Sequence, residues 1–199
     1  LGFMIGLCHN MLPGSEGVKK GNWKREGGQE LSGKTIGIIG CGNVGQEVVR
    51  LLQPFQCKVK VRDIADRSKF CHQSGAVEME FDELIEEADI VTLHVPLTED
   101  TENLINKLVL EKMKSSAFLV NTSRGRVVHQ GELHQALVSG EIAGAGLDVF
   151  YDEPPMDTEF LQLANLMVTP HIGGNTNEAV EAMGKAAIQN LVEYFNQNE

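Results

Sequence analysis

The chain has 199 residues, a formal net charge of −11, 42% hydrophobic residues and 23% charged residues. These are the proportions of an ordinary globular protein with one good core, and the negative charge excludes a nucleic-acid surface, which needs clustered Lys and Arg. No apolar run approaches the ~18 residues of a membrane span, and the four cysteines (Cys8, Cys41, Cys57 and Cys71) show no CxxC pair and no metal-ligand spacing, so reduced thiols in a cytoplasmic protein and no bound metal are expected.

Residues 1–12 read as one apolar helix without the basic start or cleavage site of a signal peptide. Because the chain opens at Leu1 in the middle of that pattern, a fragment of a longer protein is expected. Residues 13–30 are rich in Gly and charge, with a single Trp23, and read as a connector or arm outside the main fold. The expected division is therefore an arm over residues 1–33 and a folded domain over residues 34–199.

From residue 34 onward, short apolar runs alternate with helical patterns. Strands are predicted over residues 35–39, 58–61, 90–93, 117–120, 142–147 and 166–168. Helices are predicted over residues 81–88, 131–138 and 176–195, with a further amphipathic stretch ending at Met113. Continuous apolar runs separated by helices are the pattern of parallel strands buried on both faces. The fold class is α/β, a doubly wound parallel sheet.

Residues 28–35 match the phosphate-loop expression GxxxxGK[ST]. A working loop of that kind follows a strand and opens a helix. This one follows a polar linker and runs into a strand, so the match is coincidental. The informative glycines come next. Gly40-Cys41-Gly42-Asn43-Val44-Gly45 follows the first strand and opens a helix through Val48, Val49, Leu51 and Leu52. Gly40 permits the tight turn, Gly42 lets a pyrophosphate approach the backbone, and Gly45 allows close helix–strand packing. The helix start offers free N–H groups and a positive dipole end. Asp63 ends the second strand, eighteen positions beyond Gly45, where an acid accepts hydrogen bonds from the adenosine ribose hydroxyls. The pattern predicts a dinucleotide site, and an acid at position 63 favours NAD over NADP. Arg62 and Arg67 are nearby cations that weaken that preference.

Three further segments follow candidate strands on the carboxyl side, where ligands bind in such sheets. Arg124, in Asn121-Thr122-Ser123-Arg124-Gly125-Arg126, is placed to present its fork to a carboxylate or carbonyl. Glu153 precedes the Pro154-Pro155 pair, which rigidifies the turn. His171, between Pro170 and Gly173-Gly174 in the run Pro170-His171-Ile172-Gly173-Gly174, is placed for acid–base work. Each is weak alone: an isolated Arg or Glu in a loop is usually solvated, and an isolated His is usually structural.

The stretches ELSGKTIGIIGCGNVG, ADIVTLHVPLTEDTENLIN, FLVNTSRGRVV, GAGLDVFYDEPP and NLMVTPHIGGNT resemble the D-isomer-specific 2-hydroxyacid dehydrogenase family, in particular its phosphoglycerate-dehydrogenase-like branch. The resemblance implies reversible hydride transfer between a D-2-hydroxyacid and its 2-oxoacid, with NAD as cofactor. It places the catalytic arginine, glutamate and histidine on Arg124, Glu153 and His171. It places Asn43 and Val44 at the pyrophosphate, Asp63 at the ribose, and His94 and Pro96 on the adenine side. Thr122 and Ser123 fall at the nicotinamide half, Asp148 at its carboxamide, and Gly173 and Gly174 near the ring. It further implies a small-molecule partner, a homodimer formed through the arm, and a separate substrate domain of roughly a hundred residues absent from this chain. The alternative is an NAD(H)-sensing corepressor scaffold of the C-terminal-binding-protein type, which resembles the same family.

Overall fold

The computed structural model describes residues 1–25 and 27–197. Glu26 of the expected arm and the last two positions of the expected domain lie outside them. Among the described residues seven strands form one sheet: β1 (Thr35–Ile39), β2 (Lys58–Arg62), β3 (Val77–Glu78), β4 (Ile90–Leu93), β5 (Phe118–Asn121), β6 (Gly144–Leu147) and β7 (Leu166–Val168). Their order is β3-β2-β1-β4-β5-β6-β7, and every pair is parallel. The chain therefore winds outward from β1 in both directions, and the order reverses between β1 and β4. That switch point opens a crevice at the carboxyl ends of the strands. The doubly wound α/β expectation is met.

Among the described residues the helices are α1 (Gly2–Cys8), α2 (Met11–Lys19), α3 (Asn43–Leu52), α4 (Ser68–Ser74), α5 (Phe81–Glu87), α6 (Lys107–Leu110), α7 (Gln130–Ser139), α8 (Thr158–Leu161) and α9 (Asn177–Gln197). None of them is long and apolar enough to cross a membrane. The central strands β4, β5 and β6 are buried at every position, because helices cover both faces. One side of the core joins Leu84, Ile85, Leu119, Leu133 and Phe160. The other joins Met4, Ile36, Ile38, Val49, Leu52 and Val61.

Two expectations are corrected at the amino end. Residues 1–12 are not one helix: α1 stops at Cys8, and Asn10 takes a left-handed φ of 51° before α2 begins. Asn tolerates that conformation better than most residues. The carbonyl of Cys8 accepts the N–H of Gln29 at 2.7 Å. A side chain at Gly28 would meet that same carbonyl at 2.6 Å, so the connector can close on the end of α1 only through a glycine. Nor is α1 an exposed arm. Met4 is 1% exposed, and α1 packs on β5, β6 and β7, because its apolar side completes one face of the sheet. What stays open is farther along, at Met11, Leu12, Val18 and Trp23.

Residues 28–35 behave as a connector, as expected. Leu31 is buried in the core, Gly33 turns with φ of +75°, and the next element is strand β1 rather than a helix. At the other end, α9 leaves the sheet with Val180, Met183, Ile188, Leu191, Val192, Tyr194 and Phe195 all exposed.

Candidate active site

The glycine-rich turn is built by close approach. Gly40 has φ of +90°, and a side chain there would meet the His94 carbonyl at 2.6 Å. One at Gly45 would meet the Gly40 carbonyl at 2.2 Å. Gly42 differs: nothing lies within 4 Å of where its side chain would stand. It caps α3 without any side-chain hydrogen bond, so the first amides of α3, including those of Asn43 and Val44, have no helical partner. Open space above Gly42 beside an uncapped helix start is the cradle a pyrophosphate requires.

Two hollows flank this turn. One, of about 460 Å³, lies by Asp63 and is lined with Asp66, Glu78, Glu80 and Glu83. The other, of about 430 Å³, runs past Val44, Thr92, His94, Thr122, Asp148 and Gly173. Their placement fits the two halves of a dinucleotide across the switch point.

Asp63 is held by its own fold. One oxygen accepts the N–H of Cys41 at 2.6 Å and the other the N–H of Ala65 at 2.8 Å. Burial pushes its carboxyl up, but those two amides and Arg67 outweigh it and hold the group below the usual carboxylate range. Asp63 is therefore ionised at neutral pH.

His94 borders the second hollow with Thr122 and Asp148, not the acidic one beside Asp63. The sheet order explains this: β4 lies across β1 from β2. Pro96 is exposed and borders neither hollow; its carbonyl accepts the Thr101 hydroxyl. Burial pushes the His94 imidazole down to about 4. The unfolded chain, with the imidazole near its ordinary 6.5, then binds the extra proton between those two values. Stability should thus fall as pH drops from 6.5 towards 4, by about 3 kcal/mol from this group. Urea melts across that range should show a shallower pH dependence for His94→Gln than for the parent; identical slopes would remove the assignment.

The catalytic candidates converge at the ends of β5, β6 and β7. Nδ1 of His171 lies 2.8 Å from Oε2 of Glu153, and Oε1 of Glu153 accepts the Phe150 N–H at 3.1 Å. The hydrogen bond to His171, with a further share from the Phe150 amide, holds Glu153 below its ordinary value against a small effect of burial. With Nδ1 engaged, Nε2 is the nitrogen left for a substrate. Both side chains are open to solvent, at 51% for His171 and 38% for Glu153.

Arg124 is exposed at the end of β5 and donates from Nη1 to the Ser123 carbonyl at 2.6 Å. Ser123 itself turns inward, with its N–H and hydroxyl both on Asn121 Oδ1. Of the Thr122–Ser123 pair, Thr122 borders the hollow. Gly125 is a point of contact between loops: a side chain there would fall 1.7 Å from the Phe150 carbonyl. That closeness brings the arginine turn against the loop that carries Glu153.

The sequence did not reveal how Asp148 works. It is 2% exposed, and its carboxylate accepts the Thr169 hydroxyl at 2.5 Å, the Ile172 N–H at 2.9 Å and the Gly173 N–H at 2.8 Å. These three donors bracket His171, whose φ of 54° is a left-handed conformation that a non-glycine residue seldom adopts. Asp148 thus secures the turn that carries the histidine, while bordering the hollow where the resemblance placed a carboxamide. A side chain at Gly173 would stand 2.9 Å from Asp148 Oδ2; Gly174 is open. Among the described residues no group of three or more His, Cys, Asp or Glu could hold a metal ion.

Residues 1–173 match the family profile described as D-isomer specific 2-hydroxyacid dehydrogenase, NAD binding domain. The chain belongs to this family. It is 40% identical to a glyoxylate reductase of Pyrococcus furiosus, over 96% of this chain and 60% of that protein. It is 37% identical to a D-3-phosphoglycerate dehydrogenase of Methanocaldococcus jannaschii, over 96% of this chain and 37% of that protein. A structure of a D-isomer specific 2-hydroxyacid dehydrogenase from Lactobacillus delbrueckii ssp. bulgaricus, in its NAD-complexed form, superposes with a TM-score of 0.86 at 29% identity, covering 97% of this chain and 64% of the other. The chain thus spans about 60% of the length of the glyoxylate reductase it matches, as the NAD-binding domain of the family. These relatives carry the names of reductases and dehydrogenases, which does not favour the corepressor alternative.

Proposed function

We propose that the protein carrying this chain catalyses reversible hydride transfer between a D-2-hydroxyacid and its 2-oxoacid with NAD(H). The observation that carries the reading is the 2.8 Å Glu153–His171 pair, set on a turn whose flanking residues Thr169, Ile172 and Gly173 border the same hollow as Val44 at the start of α3. The nicotinamide supplies and accepts the hydride. His171 gives a proton from Nε2 to the nascent alkoxide in reduction and takes it back in oxidation. Glu153 fixes the ring by its hydrogen bond at Nδ1 and favours the imidazolium that reduction consumes. Arg124 binds the substrate carboxylate and polarises the carbonyl. Gly40, Gly42, Asn43, Val44 and Gly45 hold the pyrophosphate, and Asp63 holds the adenosine ribose.

The test is oxidation of NADH by the full-length protein across a panel of 2-oxoacids. Turnover with at least one of them is expected, and failure with all would overturn the reading. The four cysteines carry free thiols, which suits a reducing compartment such as the cytoplasm.

We also propose a homodimer. Met11, Leu12, Val18 and Trp23 present an apolar surface, with Trp23 79% exposed. Beside them lies a groove of about 510 Å³ lined by Leu12, Pro13, Phe118 and Met167. A second copy would cover such a patch by two-fold symmetry. Sedimentation at micromolar concentration should give twice the chain mass, and Trp23→Lys with Leu12→Lys should shift it towards monomer. A monomeric parent would refute the dimer.

A further inference from the structure

The turn that carries Arg124 and the loop that carries Glu153 meet at two levels. The first is backbone: Gly125 lies against the Phe150 carbonyl, where a side chain would fall 1.7 Å away. A contact of that kind lets the loops approach but does not hold them. The second level is side chain. The Arg126 guanidinium lies over the Tyr151 ring, 4.5 Å from its centroid, and Nη2 stands 3.9 Å from Asp152 Oδ1. A guanidinium is attracted to an aromatic face and stacks on it, so this contact draws the two loops together.

Both halves of the contact stand on fixed backbone. Arg126 lies in a single 3₁₀ turn, Gly125–Val127, whose Val127 is buried, and the Arg126 carbonyl accepts the Asn103 N–H at 2.8 Å. Tyr151 follows the buried Phe150, and its N–H donates to Gln130 Oε1 at 3.4 Å. Two residues farther along, Glu153 folds back to accept the Phe150 N–H. A displacement of Tyr151 therefore moves the carboxylate that holds His171.

We propose that Arg126 is a positioning residue: by clasping Tyr151 it keeps the turn that carries Arg124 in register with the loop that carries Glu153. This rests on the proposed function, which gives Arg124 the substrate carboxylate and Glu153 the orientation of His171. The two roles have to agree in space, because a carbonyl held from one side must meet a proton held from the other. Arg126 itself borders neither of the hollows beside the glycine-rich turn, so cofactor binding does not depend on it. The ion pair with Asp152 adds little, since that carboxylate is 82% exposed and open ion pairs are screened by solvent. The ring contact is the one that matters.

Oxoacid reduction by the full-length protein, with NADH affinity and melting temperature measured alongside, tests this. Arg126→Gln should lower kcat about two- to fivefold, the size of one half-exposed cation–π contact. KM for the oxoacid and NADH affinity should stay close to those of the parent, because Arg124 and the cofactor site are intact. Tyr151→Leu should reproduce the loss, whereas Tyr151→Phe, which keeps the ring, should match the parent. In a Glu153→Ala background no carboxylate is left to place, and Arg126→Gln should cost nothing further. The inference is overturned if Arg126→Gln leaves kcat unchanged, whether or not the melting temperature falls. It is equally overturned if Tyr151→Phe loses as much as Tyr151→Leu, or if the loss persists in full in the Glu153→Ala background. If the parent reduces no oxoacid, the proposed function falls and this inference with it.

Discussion

His171→Asn in the full-length protein should lower kcat/KM for oxoacid reduction by about 10²–10⁴-fold, the range a positioned general acid contributes, while NADH affinity stays within a few-fold of the parent. Asn is the informative substitution because position 171 has φ of 54°, which Asn adopts more readily than Ala. The turn held by Asp148 through the Ile172 and Gly173 amides then survives, and the loss reports the missing imidazole rather than a collapsed loop. Steady-state kinetics with a cofactor titration alongside decide it. A drop of less than tenfold would mean that His171 is not the proton donor, and a parallel loss of NADH binding would mean that the variant disturbed the fold.

Glu153→Gln should move both pH limbs of kcat/KM in the same direction, to lower pH. Removing the carboxylate removes the hydrogen-bond partner at Nδ1 that favours imidazolium. Reduction needs the protonated ring, so its activity should decline from a lower pH. Oxidation needs the neutral ring, so its activity should rise from a lower pH. One group governs both limbs, and they must move together. Limbs that stay in place or move in opposite directions would show that Glu153 does not tune His171. The pairing that holds Glu153 below its ordinary value makes it contribute stability above the ordinary carboxyl range, lost as pH falls through its folded value. With the side chain 38% exposed, that contribution is small.

Much of the site was legible because its chemistry is local. The run Ile36–Ile39 followed by Gly40, Gly42 and Gly45 specifies a strand, a tight turn and a helix start within ten residues, and the structure has them in that order. His171, Glu153 and Arg124 were legible only as a set, from three strand ends. What made them a set is the sheet order: β5, β6 and β7 are neighbours, and the Gly125–Phe150 approach closes two of the loops on one another. Strand β3 gave no signal. It is an edge strand of two residues, both exposed, so no apolar run marks it. The seven-residue α4 buries only Cys71 and was equally silent.

By itself the sequence determined the alternation of buried strands and helices, the glycine cradle and the acid at position 63, because each follows from periodicity or backbone freedom within a short window. The tertiary structure decided the rest. Whether the apolar residues of 1–12 were arm or core depended on an uncovered face of β5, β6 and β7, which only the assembled sheet presents. That Asp148 secures the His171 turn depended on β6 and β7 lying side by side, bringing a carboxylate to amides more than twenty residues away in sequence. And that Asp63 is held below the usual carboxylate range depended on its turning towards the Cys41 amide. In each case the deciding partner is distant in the chain, and such long-range pairings leave no mark on local pattern.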